Sequence, residues 1–264
     1  MDRYEPAGPA GGEGAPERPS HGVPAGLEPI LARHAPAEVY AELDDRRLAD
    51  LSSSGTTSVH AVVAVGDLRL SGLVLREAVS PSLYARFVLG FTEAVRSLAG
   101  ATGGWFDKFT GDGFIVFWLY PDDARLPSER VPEFCQAVLP ASEKLVGNLK
   151  RNSRNFPIGV GLGLGLDSGA CELVRIGDAV TVVGSPIVGA SRMSAGAQAG
   201  EAIANVHFGS RLEREADRLA DWGVSLERAV VRTKEYPEGQ EAYRLRFRAA
   251  PTKGSPSSAV PASA

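Results

Sequence analysis

The sequence predicts an α/β sandwich in which helices cover a mainly antiparallel sheet. Three observations lead to this fold. Strand-like apolar segments alternate with segments of helical periodicity in the order β-α-β-β-α-β, followed by further helices and strands. Two adjacent strand segments meet at Thr-Gly-Asp-Gly, which is typical of a hairpin and so of antiparallel pairing. The 264 residues are 44% hydrophobic and 23% charged, as in globular proteins that bury a sizeable core.

Composition also limits the partners. The net charge of −4 gives no general electrostatic drive toward nucleic acid or an anionic membrane. No apolar run approaches the roughly 18 residues that span a bilayer, and the N-terminus does not resemble a signal peptide. Cys135 and Cys171 lie among apolar neighbours, which favours two buried, reduced thiols. We therefore expect a cytoplasmic protein without nucleic-acid or membrane partners.

The chain divides into four regions. Residues 1–25 are rich in Pro, Gly, Ala and Glu, and this composition predicts a disordered tail. Residues 26–57 form a predicted N-terminal helical segment, with one helix over 27–51 that could pack on the domain or on a partner subunit. Residues 58–248 form the predicted main domain. Residues 249–264 repeat the composition of the first tail and are also predicted to be disordered.

The first half of the main domain holds a strand, a helix and a hairpin. The β-branched segment SVHAVVAVGDL predicts a buried strand over 58–68 that ends at Asp67. Apolar residues at three- and four-residue spacing predict a helix over 82–100. The segment GGWFDKFTGDGFIVFW predicts a hairpin over 103–118 with Asp112 at its tip.

The second half begins with a helix over 129–151, predicted to bend or break near Pro140. Glycines then alternate with larger apolar residues over 157–169, without the spacing of a phosphate-binding loop, and so predict a strand packed closely on another backbone. The remaining predicted elements are a strand pair over 171–183, a helix from about Pro186, a strand over 201–207, a helix over 210–221 and strands over 227–233 and 242–247.

Two aspartates stand out by their places in these elements. Asp67 ends a buried strand, and Asp112 lies at the hairpin tip, 45 residues later, on what should be the neighbouring strand. Carboxylates brought side by side repel each other unless a cation lies between them. Such a pair suits Mg²⁺ or Mn²⁺ when substrate phosphates supply the other ligands. Taken alone, an Asp at the place of Asp112 is usually an ordinary turn residue, and it is the pair with Asp67 that points to a metal.

From about Val59 to Phe247 the sequence resembles the class III nucleotidyl cyclases. DKFTGDGFIVF looks like the family's Lys-x-x-Gly-Asp hairpin, and TVVGSPIVGASRM is similar to its Gly-Asp-x-Val-Asn-x-Ala-Ser-Arg helix. The separation of the two aspartates and the final strand EAYRLRF also fit. The resemblance implies a ferredoxin-like catalytic domain that cyclises a nucleoside triphosphate.

Site residues follow from the resemblance, position by position. Asp67, Asp112 and the backbone carbonyl of Leu68 would hold two divalent ions, Mn²⁺ or Mg²⁺. One ion would help to activate the ribose 3′-hydroxyl, and both would neutralise the triphosphate as pyrophosphate leaves.

Other positions would bind the nucleotide. Lys108 would donate to the base edge, and Thr181 occupies the family's other base-reading position. Arg192 would stabilise charge on the transferring phosphorus. Lys234 is a candidate for the triphosphate, with simple solvation as the alternative. In this family Asp67 and Asp112 come from one subunit and the nucleotide-binding residues from the other, so one copy of each motif implies a homodimer and an inactive monomer.

The sequence departs from the family at two places. Val188 stands where the family has an Asn that stabilises the transition state, and Val cannot donate a hydrogen bond. Leu70-Ser71-Gly72 replaces the usual Gly-Phe-Ser/Thr after the first aspartate, although Ser71 and Gly72 could still offer backbone N–H groups to phosphate.

The choice of nucleotide is less constrained. Lys108 argues against GTP, because guanine selection in this family usually needs Glu there. The hairpin and DLRLSG look like the stand-alone pyrimidine cyclases of bacterial antiphage signalling (Pycsar systems), which usually use Mn²⁺. This resemblance implies cyclic UMP or cyclic CMP as the product, UTP being preferred as substrate, and a separate effector that the product activates. The hairpin aromatics Trp105, Phe106, Phe109 and Phe114 either pack in the core or narrow the base pocket.

Three alternatives remain. An adenylyl cyclase making cyclic AMP would use the same residues. A diguanylate cyclase would need a Gly-Gly-Asp/Glu-Glu-Phe hairpin, which this sequence lacks. A degenerate domain that binds nucleotide or a partner without turnover would account for Val188.

Overall fold

The computed structural model describes residues 22–121, 126–153, 155–233 and 235–248. Residues 1–21 of the first predicted tail and all of the second lie outside the described residues, and so does Lys234.

Within these ranges, eight strands form one sheet. Seven follow the order β2-β3-β1-β4-β6-β8-β7, and β5 pairs with β4 beside them. Only β4 and β6 run parallel among these pairs. The strands are β1 (Thr56–Arg69), β2 (Trp105–Phe109), β3 (Gly113–Tyr120), β4 (Gly161–Ile176), β5 (Ala179–Val183), β6 (Ala202–Asn205), β7 (Val224–Val231) and β8 (Gln240–Phe247).

Helices cover both faces of this sheet, so the predicted architecture is confirmed. A turn of π-helix over Val74–Ala78 follows α4 directly. The helices are α1 (Glu28–Leu31), α2 (Ala37–Tyr40), α3 (Asp45–Ser53), α4 (Ser71–Leu73), α5 (Pro81–Ala101), α6 (Arg130–Arg151), α7 (Ser185–Gly196), α8 (Val206–Glu213) and α9 (Ala216–Asp221).

Three helix predictions differ from the structure. The N-terminal helical segment contains three short helices, because Pro36 precedes α2 in an extended conformation and Asp44 caps α3 by accepting from the Arg47 N–H. The helix predicted over 210–221 is two helices, α8 and α9. Helix α6 continues through Pro140, so of the two predicted outcomes the break is wrong and the bend stays a prediction.

Alternate residues of β1 and β3 point into two different cores, as expected for strands buried on both faces. On one side, Val62, Val116 and Trp118 pack with residues of α5, α6 and α8. On the other side, Val63 and Phe117 pack with residues of α1–α3 and α7. The N-terminal segment is therefore part of the second core.

The sheet curls so that β5 reaches β2. Three strands separate them in the sheet order, yet the Lys108 Nζ on β2 lies 3.2 Å from the Thr181 Oγ1 on β5. The fully buried Leu31 and Leu51 of the N-terminal segment lie on the concave side of this curl. The N-terminal segment therefore packs against the curled end of the sheet on its concave side.

Glycines of β4 let α7 and the following loop approach the sheet closely. A Cβ added to Gly165 would lie 2.0 Å from the Ala190 carbonyl oxygen, and one added to Gly161 would lie 2.7 Å from the Ala199 Cβ. No side chain fits in that space. The glycine alternation is confirmed as a close backbone contact.

Candidate active site

The two aspartates lie at the same end of neighbouring strands. Asp67 is near the end of β1, and its register partner on β3 is Gly113, the residue after Asp112. The Leu68 N–H donates to the Asp112 carbonyl oxygen at 3.0 Å. A Cβ on Gly113 would lie 2.2 Å from the Gly66 carbonyl oxygen, so only glycine allows this close strand contact. The hairpin therefore brings both carboxylates to one edge.

Ser71 holds one of the two carboxylates. Its hydroxyl donates to the Asp112 Oδ2 at 2.5 Å, and the side chain is buried. Leu70 turns the chain back toward the hairpin with φ = +62°, a left-handed conformation that costs a residue with a Cβ about 1–2 kcal/mol. Sequence reasoning gave Ser71 only a backbone role and missed its side-chain contact with Asp112.

Arg69 places a positive charge beside the carboxylates. Its guanidinium pairs with Asp67 and also donates to the Ala195 carbonyl oxygen of α7 at 3.4 Å. Burial lowers the pKa of Arg69, and the charge of Asp112 opposes that change. Arg69 therefore acts as an internal counter-charge for this edge, and sequence reasoning missed it. The signal was present, because residues two apart on a strand share a face.

The donor set fits divalent ions only in part. Two carboxylates and a nearby backbone carbonyl, that of Leu68, are hard oxygen ligands of the kind Mg²⁺ and Mn²⁺ accept. Among the described residues, no group of three or more His, Cys, Asp or Glu side chains is placed to hold a metal. Ions at this edge would need further oxygens, and the phosphates of a bound nucleotide are the natural source.

The two predicted base-reading residues lie together. Lys108 is half-exposed on β2 and donates to the buried Thr181 on β5. The Thr181 hydroxyl in turn donates to the Asp107 Oδ2 at 2.7 Å. The register of β2 shifts between Phe106 and Lys108, so Asp107 is a bulge residue whose carboxylate is buried under the pair. Burial raises the pKa of Asp107, and its bonds with Thr181 and Lys108 oppose the rise.

His34 of the N-terminal segment joins the same two strands. Its Nδ1 lies 2.8 Å from the Phe106 carbonyl oxygen, and the Val180 N–H donates to its Nε2 at 3.0 Å. Nε2 is therefore unprotonated, so Nδ1 carries the proton and donates. Burial lowers the pKa of His34, which favours this neutral form. Sequence reasoning missed both His34 and Asp107.

Arg192 lies on α7 with its side chain about one-third exposed. It pairs with Glu235, and its guanidinium carbon lies 5.6 Å from the centre of the Tyr236 ring. Val188, one turn earlier on the helix, is 45% exposed. The helix thus presents a cation and an apolar side chain toward solvent, where the family resemblance places Arg and Asn.

The hairpin aromatics belong mostly to the core. Trp105, Phe106 and Phe114 are at most 4% exposed. Phe106 and Phe114 lie in the core beneath α5 and α6, where Phe109 is partly buried, and Trp105 lies in the core on the other face of the sheet. The core-packing alternative is therefore confirmed for the first three. The prediction of free, buried thiols is also confirmed for Cys135 and Cys171.

The fold is shared with solved cyclase structures. The adenylyl cyclase CyaB from P. aeruginosa is 17% identical, with a TM-score of 0.60 over 73% of this chain and 96% of that chain. The guanylate cyclase domain of RhGC from Catenaria anguillulae, in complex with GTP, is 14% identical, with a TM-score of 0.56 over 73% and 99%. The guanylyl cyclase Cya2 is 17% identical, with a TM-score of 0.57 over 75% and 98%. The sequence matches no family model and no curated protein.

These comparisons establish that the chain has the fold of a class III cyclase catalytic domain, which is the predicted fold class. Across the described ranges, no helix has the length and apolarity needed to cross a membrane.

Proposed function

We propose that this protein is a metal-dependent nucleotidyl cyclase that converts a nucleoside triphosphate to its 3′,5′-cyclic nucleotide and pyrophosphate. The observation that carries the proposal is the carboxylate pair at one strand edge. Asp67 and Asp112 come from two strands, and Ser71 orients the second of them. In the fold of a cyclase catalytic domain, this arrangement has a direct chemical use.

In the reaction, the ribose 3′-hydroxyl gives up its proton to solvent, O3′ forms a bond to the α-phosphorus, and the bond from that phosphorus to the pyrophosphate oxygen breaks. Bound divalent ions would supply Lewis acidity at the 3′-hydroxyl and charge neutralisation at the triphosphate. Asp67, Asp112 and the Leu68 carbonyl would hold them. Arg192 would stabilise the negative charge that develops on the phosphoryl oxygens. Lys234 would add a contact to the triphosphate.

The base would meet Lys108 and Thr181. An ammonium group can only donate hydrogen bonds, so Lys108 needs an acceptor on the base. The Thr181 proton is directed to Asp107, so the hydroxyl offers the base an acceptor. The pair therefore suits a base edge that carries an acceptor beside a donor.

The family arrangement makes the active form a homodimer with two sites at the subunit interface. The support for this assembly is the resemblance, which gives the chain one copy of each motif and divides each site between two subunits. A monomer would carry the metal-binding residues and the nucleotide-binding residues, but the two sets would belong to different sites.

For the substrate we propose UTP, or CTP, with Mn²⁺ as the metal. The support is the resemblance of the hairpin and of DLRLSG to pyrimidine cyclases. On that resemblance the protein would work in the cytoplasm in antiphage defence, and its product would activate a separate effector. ATP is the alternative substrate, because adenine also carries an acceptor beside a donor.

The test is a product assay with purified protein, Mn²⁺ and each of ATP, GTP, CTP and UTP, with products identified by mass. We expect one cyclic nucleotide to dominate. Asp112→Ala should abolish it while the oligomeric state is unchanged. Asp217→Ala on the exposed surface of α9 is the matched control and should retain it. Product from Asp112→Ala would overturn the metal assignment.

A second candidate function is nucleotide binding without turnover. Val188 favours it, because no hydrogen-bond donor stands at that exposed position. Binding of Mn²⁺-nucleotide without any product would support this second function. If the missing donor only slows catalysis, Val188→Asn should raise turnover by roughly 10- to 1,000-fold.

A further inference from the structure

We propose that His34 and Asp107 are positioning residues that determine nucleotide specificity by fixing Lys108 as a donor and Thr181 as an acceptor. The inference rests on the proposed function, since it concerns how the same site reads a base. It assigns to the N-terminal segment a part in substrate selection.

The first step of the argument is geometric. Strands β2 and β5 carry one base-reading residue each but are not paired with each other in the sheet. The His34 imidazole spans them through the backbone of the residues before the bulge and before Thr181, namely Phe106 and Val180. A backbone contact at that position sets the separation of the two strands. The distance between Lys108 and Thr181 therefore depends on this ring.

The second step follows the protons. A threonine hydroxyl has one proton, and the proton of Thr181 goes to Asp107. The oxygen keeps its lone pairs, one of which accepts from Lys108 at 3.2 Å. The other is available to a base N–H. Without Asp107, the hydroxyl could rotate and either donate or accept, and the site would tolerate more base edges.

The third step concerns the charge state of the ring. The Val180 N–H needs an unprotonated Nε2, so protonation of His34 would remove this bond. Burial is the main influence that keeps the ring neutral, and Arg96 adds to it. The hydrogen bond with the Phe106 carbonyl and the charge of Asp107 act in the opposite direction and raise the pKa of His34. The bridge is therefore a neutral imidazole with a fixed tautomer.

The ligand chemistry follows. All four bases carry an acceptor beside a donor: adenine at N1 and N6, cytosine at N3 and N4, uracil at O4 and N3, and guanine at O6 and N1. The spacing that His34 imposes would then select among them. Loss of the spacing or of the fixed hydroxyl should lower discrimination more than it lowers turnover of the preferred nucleotide.

The experiment measures kcat and KM for all four nucleotides in His34→Ala, His34→Gln, His34→Asn and Asp107→Ala, with His207→Ala on the exposed face of α8 as control. We expect His34→Ala and Asp107→Ala to lower the ratio of kcat/KM between the preferred and next nucleotide by about 10-fold, the loss of one hydrogen bond. Gln can still accept from Val180 and Asn can still donate to Phe106, so each should recover part of the ratio.

The control should match the wild type. If folded His34 and Asp107 variants keep the wild-type ratio, the proposal is overturned. If His34→Ala does not fold, the Gln and Asn variants decide between the two outcomes.

A spectroscopic measurement separates this proposal from the proposed function. Nitrogen-15 NMR of the His34 ring should show the proton on Nδ1 and a pKa below the ordinary histidine value. A proton on Nε2 would contradict the bridge. If the wild type makes no product, the proposed function fails, and the discrimination ratio is then measured as binding constants of the four Mn²⁺-nucleotides. Equal binding by wild type and variants would overturn this inference.

Discussion

Substitution of Gly165 tests how closely α7 must approach the sheet. The Cβ of Gly165→Ala would lie 2.0 Å from the Ala190 carbonyl oxygen and 2.1 Å from the Ser194 nitrogen, both backbone atoms that cannot rotate away. An ordinary carbon–oxygen contact is about 3.3 Å, so α7 would have to move by about 1.3 Å. Overpacking of this kind costs about 1–3 kcal/mol, and removing a glycine from the unfolded chain returns about 0.5 kcal/mol.

We expect a net loss of about 2 kcal/mol in the free energy of unfolding, which lowers Tm by about 4–8 °C for a domain of this size. Thermal unfolding of Gly165→Ala beside Gly169→Ala measures the effect. Gly169 is also on β4, but its Cβ would meet only the Pro186 ring at 3.4 Å, so that variant should unfold like the wild type.

Activity gives a second measurement of the same displacement. Under the proposed function, Arg192 on helix α7 stabilises charge in the reaction, and a shift of about 1 Å in such a group can lower the rate by about 100-fold. At temperatures below the Tm of Gly165→Ala, this variant should therefore still form less product than the wild type. Equal Tm values for the two variants would refute the close-contact argument.

Three further predictions concern single side chains. Ser71→Ala removes the hydrogen bond that orients Asp112. In a metal titration with nucleotide present, this variant should bind Mn²⁺ about 10- to 100-fold more weakly than the wild type. Unchanged affinity would show that the bond does not orient the ligand. Burial raises the pKa of Asp167 to about 6, so the folded state binds this proton more tightly than the unfolded state does. The free energy of unfolding should therefore fall as the pH rises from about 4 to about 6. Asp167→Asn should remove that slope in urea unfolding and stabilise the protein above about pH 6 by up to about 3 kcal/mol. Burial raises the pKa of both thiols, that of Cys171 to about 12. Cys135 and Cys171 should therefore react with a disulfide reagent at about pH 8 only as fast as the protein unfolds. Fast labelling of the native protein would contradict their burial.

Local patterns predicted much of this fold. The β-branched run before Asp67 predicted that a strand ends near this residue, and the turn glycines predicted a hairpin tip at Asp112. The structure has both features. The glycine spacing of β4 predicted a close backbone contact, because alternate residues of a strand face the same neighbour. The prediction of one N-terminal helix was wrong, although Pro36 already disfavours helix at the residue before it.

The contacts between residues distant in the chain could not be predicted from the sequence. His34 bonds to residues 72 and 146 positions away, and no periodicity or motif links it to them. Asp107 is next to Lys108 in the hairpin, but its burial depends on the bulge and on a strand that arrives much later in the chain. The contact between Lys108 and Thr181 is a property of the curled sheet, which forms only when distant segments pack together.

The curled sheet also constrains the order of folding. Helices α1–α3 are synthesised first, but the strand that closes over them, β5, follows more than 120 residues later. Until then the apolar residues of these helices lack part of their packing partners. Contacts so distant in sequence slow folding, because loop-closure entropy must be overcome before they form. We expect the N-terminal segment to gain protection from hydrogen exchange late in refolding, at the same time as β5.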